Sequence, residues 1–179
     1  MGGGIKARPS LTTAGTEGEH GRAMLDLSPP ERTLKVCRAA ARLCGRLGWA
    51  PVMEVPLPTG RRLDILALLP DGDFVAIEVK SCARDFQTDA KWTEYRDWCD
   101  RLFFAVDLDF PQSLLPEDVG LIVADDGEAA ILRQPAEHRL APARRKSLLL
   151  RYARLSAGRL QGLLDPSGAA ELRASLRVE

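Results

Sequence analysis

The chain is poor in the side chains that build metal centres. It holds two histidines, His20 and His138, and four cysteines, Cys37, Cys44, Cys82 and Cys99, with no C-x2-C pair. This argues against the common structural zinc patterns and reads as reduced, buried thiols. Net charge is also missing, because 25 Lys and Arg balance 25 Asp and Glu. Without an overall basic footprint, any nucleic-acid surface must be a local patch. No apolar run is long enough for a signal peptide or a membrane span. Met1-Gly2 begins like a myristoylation site, but Lys6 stands where Ser or Thr is required. These absences point to a cytoplasmic chain with no membrane partner.

What is present suits one domain. In 179 residues, 45% apolar and 28% charged content is ordinary for a globular protein with a proper core. Residues 1–27 carry Gly, Ser, Thr and Pro without periodicity and read as a disordered leader. Residues 28–160 read as the folded domain and 161–179 as a tail, either frayed or a short helix.

The informative stretch is Arg61–Lys80, RRLDILALLPDGDFVAIEVK. It predicts a hairpin with strands at about 62–68 and 74–80. Val75, Ile77 and Val79 point one way; Phe74, Ala76, Glu78 and Lys80 point the other. Pro70-Asp71-Gly72 suits a three-residue turn with Gly72 left-handed. That register sets Asp64 opposite Glu78 and Arg62 opposite Lys80, with Asp64 and Glu78 sharing a face roughly 5 Å apart. A two-residue turn would put the two acids on opposite faces. Facing carboxylates repel unless a cation lies between them or one is protonated.

Asp64 followed by Glu78-Val79-Lys80 resembles the signature of the PD-(D/E)XK nuclease superfamily: an acid on one strand, then (D/E)-x-K on the next. Leu63 stands where the signature has Pro. The resemblance implies that Asp64 and Glu78 hold Mg2+ or Mn2+ through oxygen ligands, with the Val79 carbonyl as a further ligand. The cation would polarise a phosphodiester and lower the pKa of a bound water. Lys80 would position that water or offset developing charge.

The remaining elements frame this hairpin. Ser28-Pro29-Pro30-Glu31 predicts a capped helix to about Arg46, ended by Gly48. Its stripe is Leu34, Cys37, Ala41 and Cys44, widened by Val36, Ala40, Leu43 and Leu47. Glu31 is either the cap or an auxiliary acid. A strand over 49–57 carries Glu54, which either lies on an exposed edge or faces the acidic cluster. After Lys80 the sequence reads as a loop through Phe86, then a helix over 88–99 with Trp92, Tyr95, Trp98 and Cys99 on one face. Lys91 and Tyr95 then share a face and match in part a Gln-x-x-x-Tyr seen in branches of the superfamily. Leu102–Val106 is a buried strand parallel to 74–80. Strands over 121–124 and 129–132 flank Asp125-Asp126-Gly127. Asp107, Asp109 and Asp125 read as turn residues.

A helix from 142 to 160 closes the domain. Seven Lys or Arg lie between Arg139 and Arg159 with no acid among them. Arg144, Arg145 and Lys146 form either a solvated face or a phosphate-contact patch. Arg62, Ser81, Lys91 and Tyr95 are further candidate DNA contacts.

From about Ser28 to Leu160 the chain resembles the MmcB family of bacterial DNA repair proteins. The residues that carry this are RRLDILAL, IEVKS with Asp85-Phe86, DAKWTEYRDWCD, FFAV, GLIVAD and ARRKSLLLRYARL. The resemblance implies a restriction-endonuclease-like α/β core, a mixed central sheet flanked by helices in αβββαβ order. It also implies a cytoplasmic location and a role in DNA damage repair. Two activities follow as expectations: a metal-dependent deoxyribonuclease, or a non-catalytic DNA-binding scaffold of the same fold. A homodimer is left open.

Overall fold

The computed structural model describes residues 28–89 and 91–175. The leader expected over 1–27 lies outside the described residues. Helix α1 spans Pro29–Arg46. Glu31 accepts hydrogen bonds from the Ser28 N–H (3.0 Å) and hydroxyl (2.6 Å), and Pro29 opens the first turn. Glu31 is thus the cap, and its carboxylate is spent there. Gly48, at φ 73°, turns the chain out of the helix. The buried stripe is Val36, Cys37, Ala39, Ala40, Leu43 and Cys44. Leu34 and Leu47, expected in it, stay exposed.

The sheet has six strands in spatial order β1 to β6: Ala50–Pro56, Arg62–Leu68, Phe74–Val79, Arg101–Asp107, Gly120–Asp125 and Glu128–Arg133. The first three form an antiparallel meander; β3, β4 and β5 run parallel; β6 returns antiparallel. This is the mixed sheet with flanking helices that the sequence led us to expect. One face, with Ile65, Ala67, Val75, Ile77, Phe103 and Ile122, packs on α1. The other buries Leu66, Phe74, Ala76 and Phe104 beneath Tyr95 and Leu148. With both faces covered, β3 is buried along its whole length.

The hairpin turn sets the register. Leu69 N–H donates to Asp73 O at 2.9 Å, and Gly72 takes φ 88°. Ile65 pairs with Ile77, and Ala67 with Val75. That is the three-residue register, and the two-residue alternative is excluded.

Three local expectations change. The loop expected after Lys80 is a short helix, α2, Ala83–Thr88, and the expected 88–99 helix is a 3-10 stretch, Trp92–Trp98. The α-helix ends at Asp89, whose carboxylate takes the Lys80 ammonium on one oxygen and the Lys91 N–H on the other. Asp107 is not a turn residue. It ends β4 fully buried, and Oδ2 accepts from the Arg32 guanidinium at 2.5 Å. The closing helix α3 spans Pro142–Leu164, and α4, Pro166–Ser175, follows it.

Helix α3 covers the outer edge of β1. Tyr152 donates to Ala50 O at 2.8 Å, and the Arg159 guanidinium donates to the carbonyls of Met53 and Glu54. Buried Asp100 ties the base of the sheet together, accepting from Phe74 N–H, Leu140 N–H and Arg145 at 2.6–2.9 Å. No helix among the described residues is long and apolar enough to cross a membrane. All four cysteines are free; only Cys82 is exposed.

Candidate functional site

Three acids lie in a row across β1, β2 and β3. Met53 pairs with Ile65 and Val55 with Leu63, so Glu54 stands opposite Asp64. Ile65 pairs with Ile77, and one step further Glu78 stands on the other side of Asp64. The alternation of faces breaks at this row. Leu63 and Leu66 pack in one core and Ile65 in the other; Val52 and Val55 likewise part from Met53. Glu54 takes φ 49°, a conformation that costs a non-glycine residue about 1–3 kcal/mol. The Arg159 bonds to the Met53 and Glu54 carbonyls hold it there.

The break lets side chains replace ladder bonds. Leu69 and Asp73 are hydrogen-bonded, so a continued ladder would send the Val79 N–H to the Leu63 carbonyl. Instead Val79 N–H donates to Asp64 Oδ2 at 2.8 Å, and Asp64 N–H donates to Glu78 Oε1 at 3.3 Å. The expected opposition of Asp64 and Glu78 is present, with each carboxylate reaching the other's strand.

The electrostatics follow from burial. Glu78 is 4% exposed. Desolvation first, then the charge of Asp64, pushes its carboxyl up to about 9. Burial also raises Asp64, against the Val79 N–H, which favours the charged form. Lys80 is 5% exposed, with its ammonium 2.5 Å from Asp89 Oδ2. Burial works to lower Lys80, and the Asp89 carboxylate more than offsets it. Asp89 is held below its usual range, burial being outweighed by the Lys80 ammonium. Tyr95 borders the cluster: burial, then the charges of Glu78, Asp89 and Asp64, raise its phenol to about 12.

The other expected residues disperse. Arg62 is exposed and sits 3.3 Å from Glu54, which is itself exposed at the rim. Ser81 is buried at the strand end and offers no open surface. Lys91 and Tyr95 do not share a face, because a 3-10 turn sets residues four apart on different sides. Tyr95 is core and Lys91 exposed. The patch of Arg144, Arg145 and Lys146 is also divided. Arg145 is tied to Asp100 and to the Gly72 carbonyl, both at 2.6 Å. Arg144 pairs with Asp97 at 3.0 Å and lies over the Trp98 ring. Lys146 stays exposed. Val79 is buried, its N–H taken by Asp64.

Asp89 and Arg159 escaped the sequence reading. The Asp89-x-Lys91 spacing of an Asx turn was the one available signal for Asp89; nothing local marked Arg159. Among the described residues, no group of three or more His, Cys, Asp or Glu is arranged to hold a metal. The site is therefore an acid pair with an adjacent, already partnered lysine.

Comparison with known proteins comes next. A family model described as DNA repair protein MmcB-like matches residues 20–167. No curated protein matches. A solved structure, the SPO1766 protein of unknown function from Silicibacter pomeroyi, is 46% identical with a TM-score of 0.71. The match covers 80% of this chain and 96% of that one.

Proposed function

The chain belongs to the MmcB-like family of DNA repair proteins, and from that footing we propose that it hydrolyses phosphodiester bonds in DNA with Mg2+ or Mn2+ held by Asp64 and Glu78. The observation that carries this reading is a buried acid pair without a cation of its own. Glu78 is 4% exposed beside Asp64, while the adjacent base, Lys80, is committed to Asp89. Both acids can be charged together only if a cation lies between them.

The donors suit such an ion. Two carboxylates and a strand-end carbonyl, that of Val79, are hard oxygen ligands, and Mg2+ commonly keeps only one or two carboxylates beside water and phosphate. When bound, the ion polarises the phosphodiester and supplies a nucleophilic water near neutral pH. The chain's own groups do the rest. Val79 N–H fixes the Asp64 carboxylate, and Asp64 N–H fixes that of Glu78. Lys80, released from Asp89 when a phosphate takes that partner's place, offsets charge developing on the phosphate. Arg62 exchanges Glu54 for a neighbouring phosphate.

A second reading keeps the fold and its DNA surface without hydrolysis. It is favoured by the absence of a three-ligand cluster among the described residues and by the closed Lys80–Asp89 pair. The experiment that separates the two uses single-stranded, duplex, flapped and branched DNA with magnesium, manganese or chelator. Metal-dependent cleavage that Asp64→Asn abolishes supports hydrolysis; binding without cleavage under every metal leaves the scaffold reading.

A further inference from the structure

Of the three groups at the acidic site, Asp64 alone lines an open cleft. Glu78 and Lys80 are 4% and 5% exposed, whereas Asp64 borders a cavity of about 730 Å³. Leu34 and Cys37 of α1 and Met53 of β1 give this cleft an apolar side; Arg62 and Arg159 give it a cationic one. Arg159 is anchored to the β1 carbonyls. Arg62 is 60% exposed and held only by an exposed acid, so its guanidinium can turn to a phosphate. No broad basic surface accompanies the cleft. Net charge is zero, and α3 commits Arg144 to Asp97 and Arg145 to Asp100.

We infer that this cleft takes one DNA strand, so that the substrates are single-stranded DNA or duplexes carrying an unpaired flap or gap. Duplex DNA is stiff over about 150 base pairs and draws its affinity from many phosphate contacts along two backbones. A cleft of this volume cannot admit such a rod, and the surface beside it offers few cations. A single strand bends at each nucleotide, lays bare bases on apolar surface and brings one backbone to a few guanidiniums. An apolar wall facing two guanidiniums, with Asp64 between them, matches that chemistry. The inference rests on the hydrolytic reading for what the strand is brought to, but binding alone tests the cleft.

The test is fluorescence anisotropy in chelator, so that cleavage does not contribute. The probes are a labelled oligothymidylate, a blunt duplex of equal length and a duplex with a single-stranded flap. The variants are Leu34→Glu and Arg62→Glu in the cleft, with Leu132→Glu as a control on β6, the opposite edge strand, where Leu132 is 59% exposed. Oligothymidylate and flapped DNA should bind about tenfold or more tighter than blunt duplex, and each cleft variant should lower that affinity about tenfold at an unchanged unfolding temperature. Leu132→Glu should do neither. Equal or tighter binding of blunt duplex, or cleft variants that bind single strands as wild type does, would overturn the inference. A single-strand preference without cleavage in magnesium or manganese leaves the cleft assignment standing and removes hydrolysis. Cleavage of duplex as fast as single strands keeps hydrolysis and removes the cleft assignment.

Discussion

Asp64 and Glu78 each take a hydrogen bond from the other's strand. Val79 N–H donates to Asp64 at 2.8 Å and Asp64 N–H to Glu78 at 3.3 Å. The two carboxylates therefore close the end of a β-ladder while carrying the charge the site needs. Amide substitutions keep an acceptor oxygen and remove only the charge, which makes Asn and Gln the informative replacements.

Glu78 should make the metal-free protein less stable as pH rises. Its carboxyl is raised to about 9, so between the unfolded value near 4.3 and about 9 the folded state binds a proton that the unfolded state does not. That contribution is full at the acid end and falls as pH climbs through the window. Glu78→Gln should flatten the loss and be more stable than wild type at pH 8 by on the order of 1 kcal/mol or more. Urea unfolding of both proteins from pH 5 to about 9, in chelator, measures it. Parallel curves would mean that Glu78 is not the strained group.

The Lys80–Asp89 pair should behave differently. Asp89 is lowered, so its contribution is present above its unfolded value and lost only as strong acid protonates it. Lys80 is raised, so its contribution is present below its unfolded value and lost only in strong base. Asp89→Ala should therefore cost about 3 kcal/mol, the penalty of orphaning a buried ammonium, with little pH dependence between about 5 and 9. The same urea series reads it, and a cost that vanished at neutral pH would show the pair to be incidental.

Arg145 and Lys146 are neighbours with unlike roles. Arg145→Ala strips buried Asp100 of its guanidinium and should cost about 3 kcal/mol, seen as a fall of several degrees in Tm. Lys146→Ala, at an exposed position, should stay within about 0.5 kcal/mol. Equal, small effects would reopen a phosphate-contact role for Arg145.

The fold was largely legible because its signals are local. Alternation in Phe74–Val79, the Pro70-Asp71-Gly72 turn and the Ser28–Glu31 cap each name an element and its register. The opposition of Asp64 and Glu78 followed from that turn alone. What stayed hidden was long-range. Arg145 looked like a surface charge because its partner, Asp100, is 45 residues away. The strain at Glu54 depends on Arg159, 105 residues on. Periodicity failed over 88–99, where the Asp89 carboxylate captures Lys80 and the Lys91 N–H in place of a continuing α-helix.

The central claim is that the Asp64–Glu78 pair holds a divalent cation. Its most direct test is thermal unfolding of the wild type, Asp64→Asn, Glu78→Gln and Lys80→Ala, with chelator and with magnesium or manganese. Ligand at about 100 times its Kd stabilises by about 2.7 kcal/mol, so wild type and Lys80→Ala should each rise by several degrees with metal. Both acid variants should fold as well as wild type in chelator and gain nothing from metal. A wild type whose Tm does not respond to either metal, or acid variants that respond as wild type does, would contradict the account.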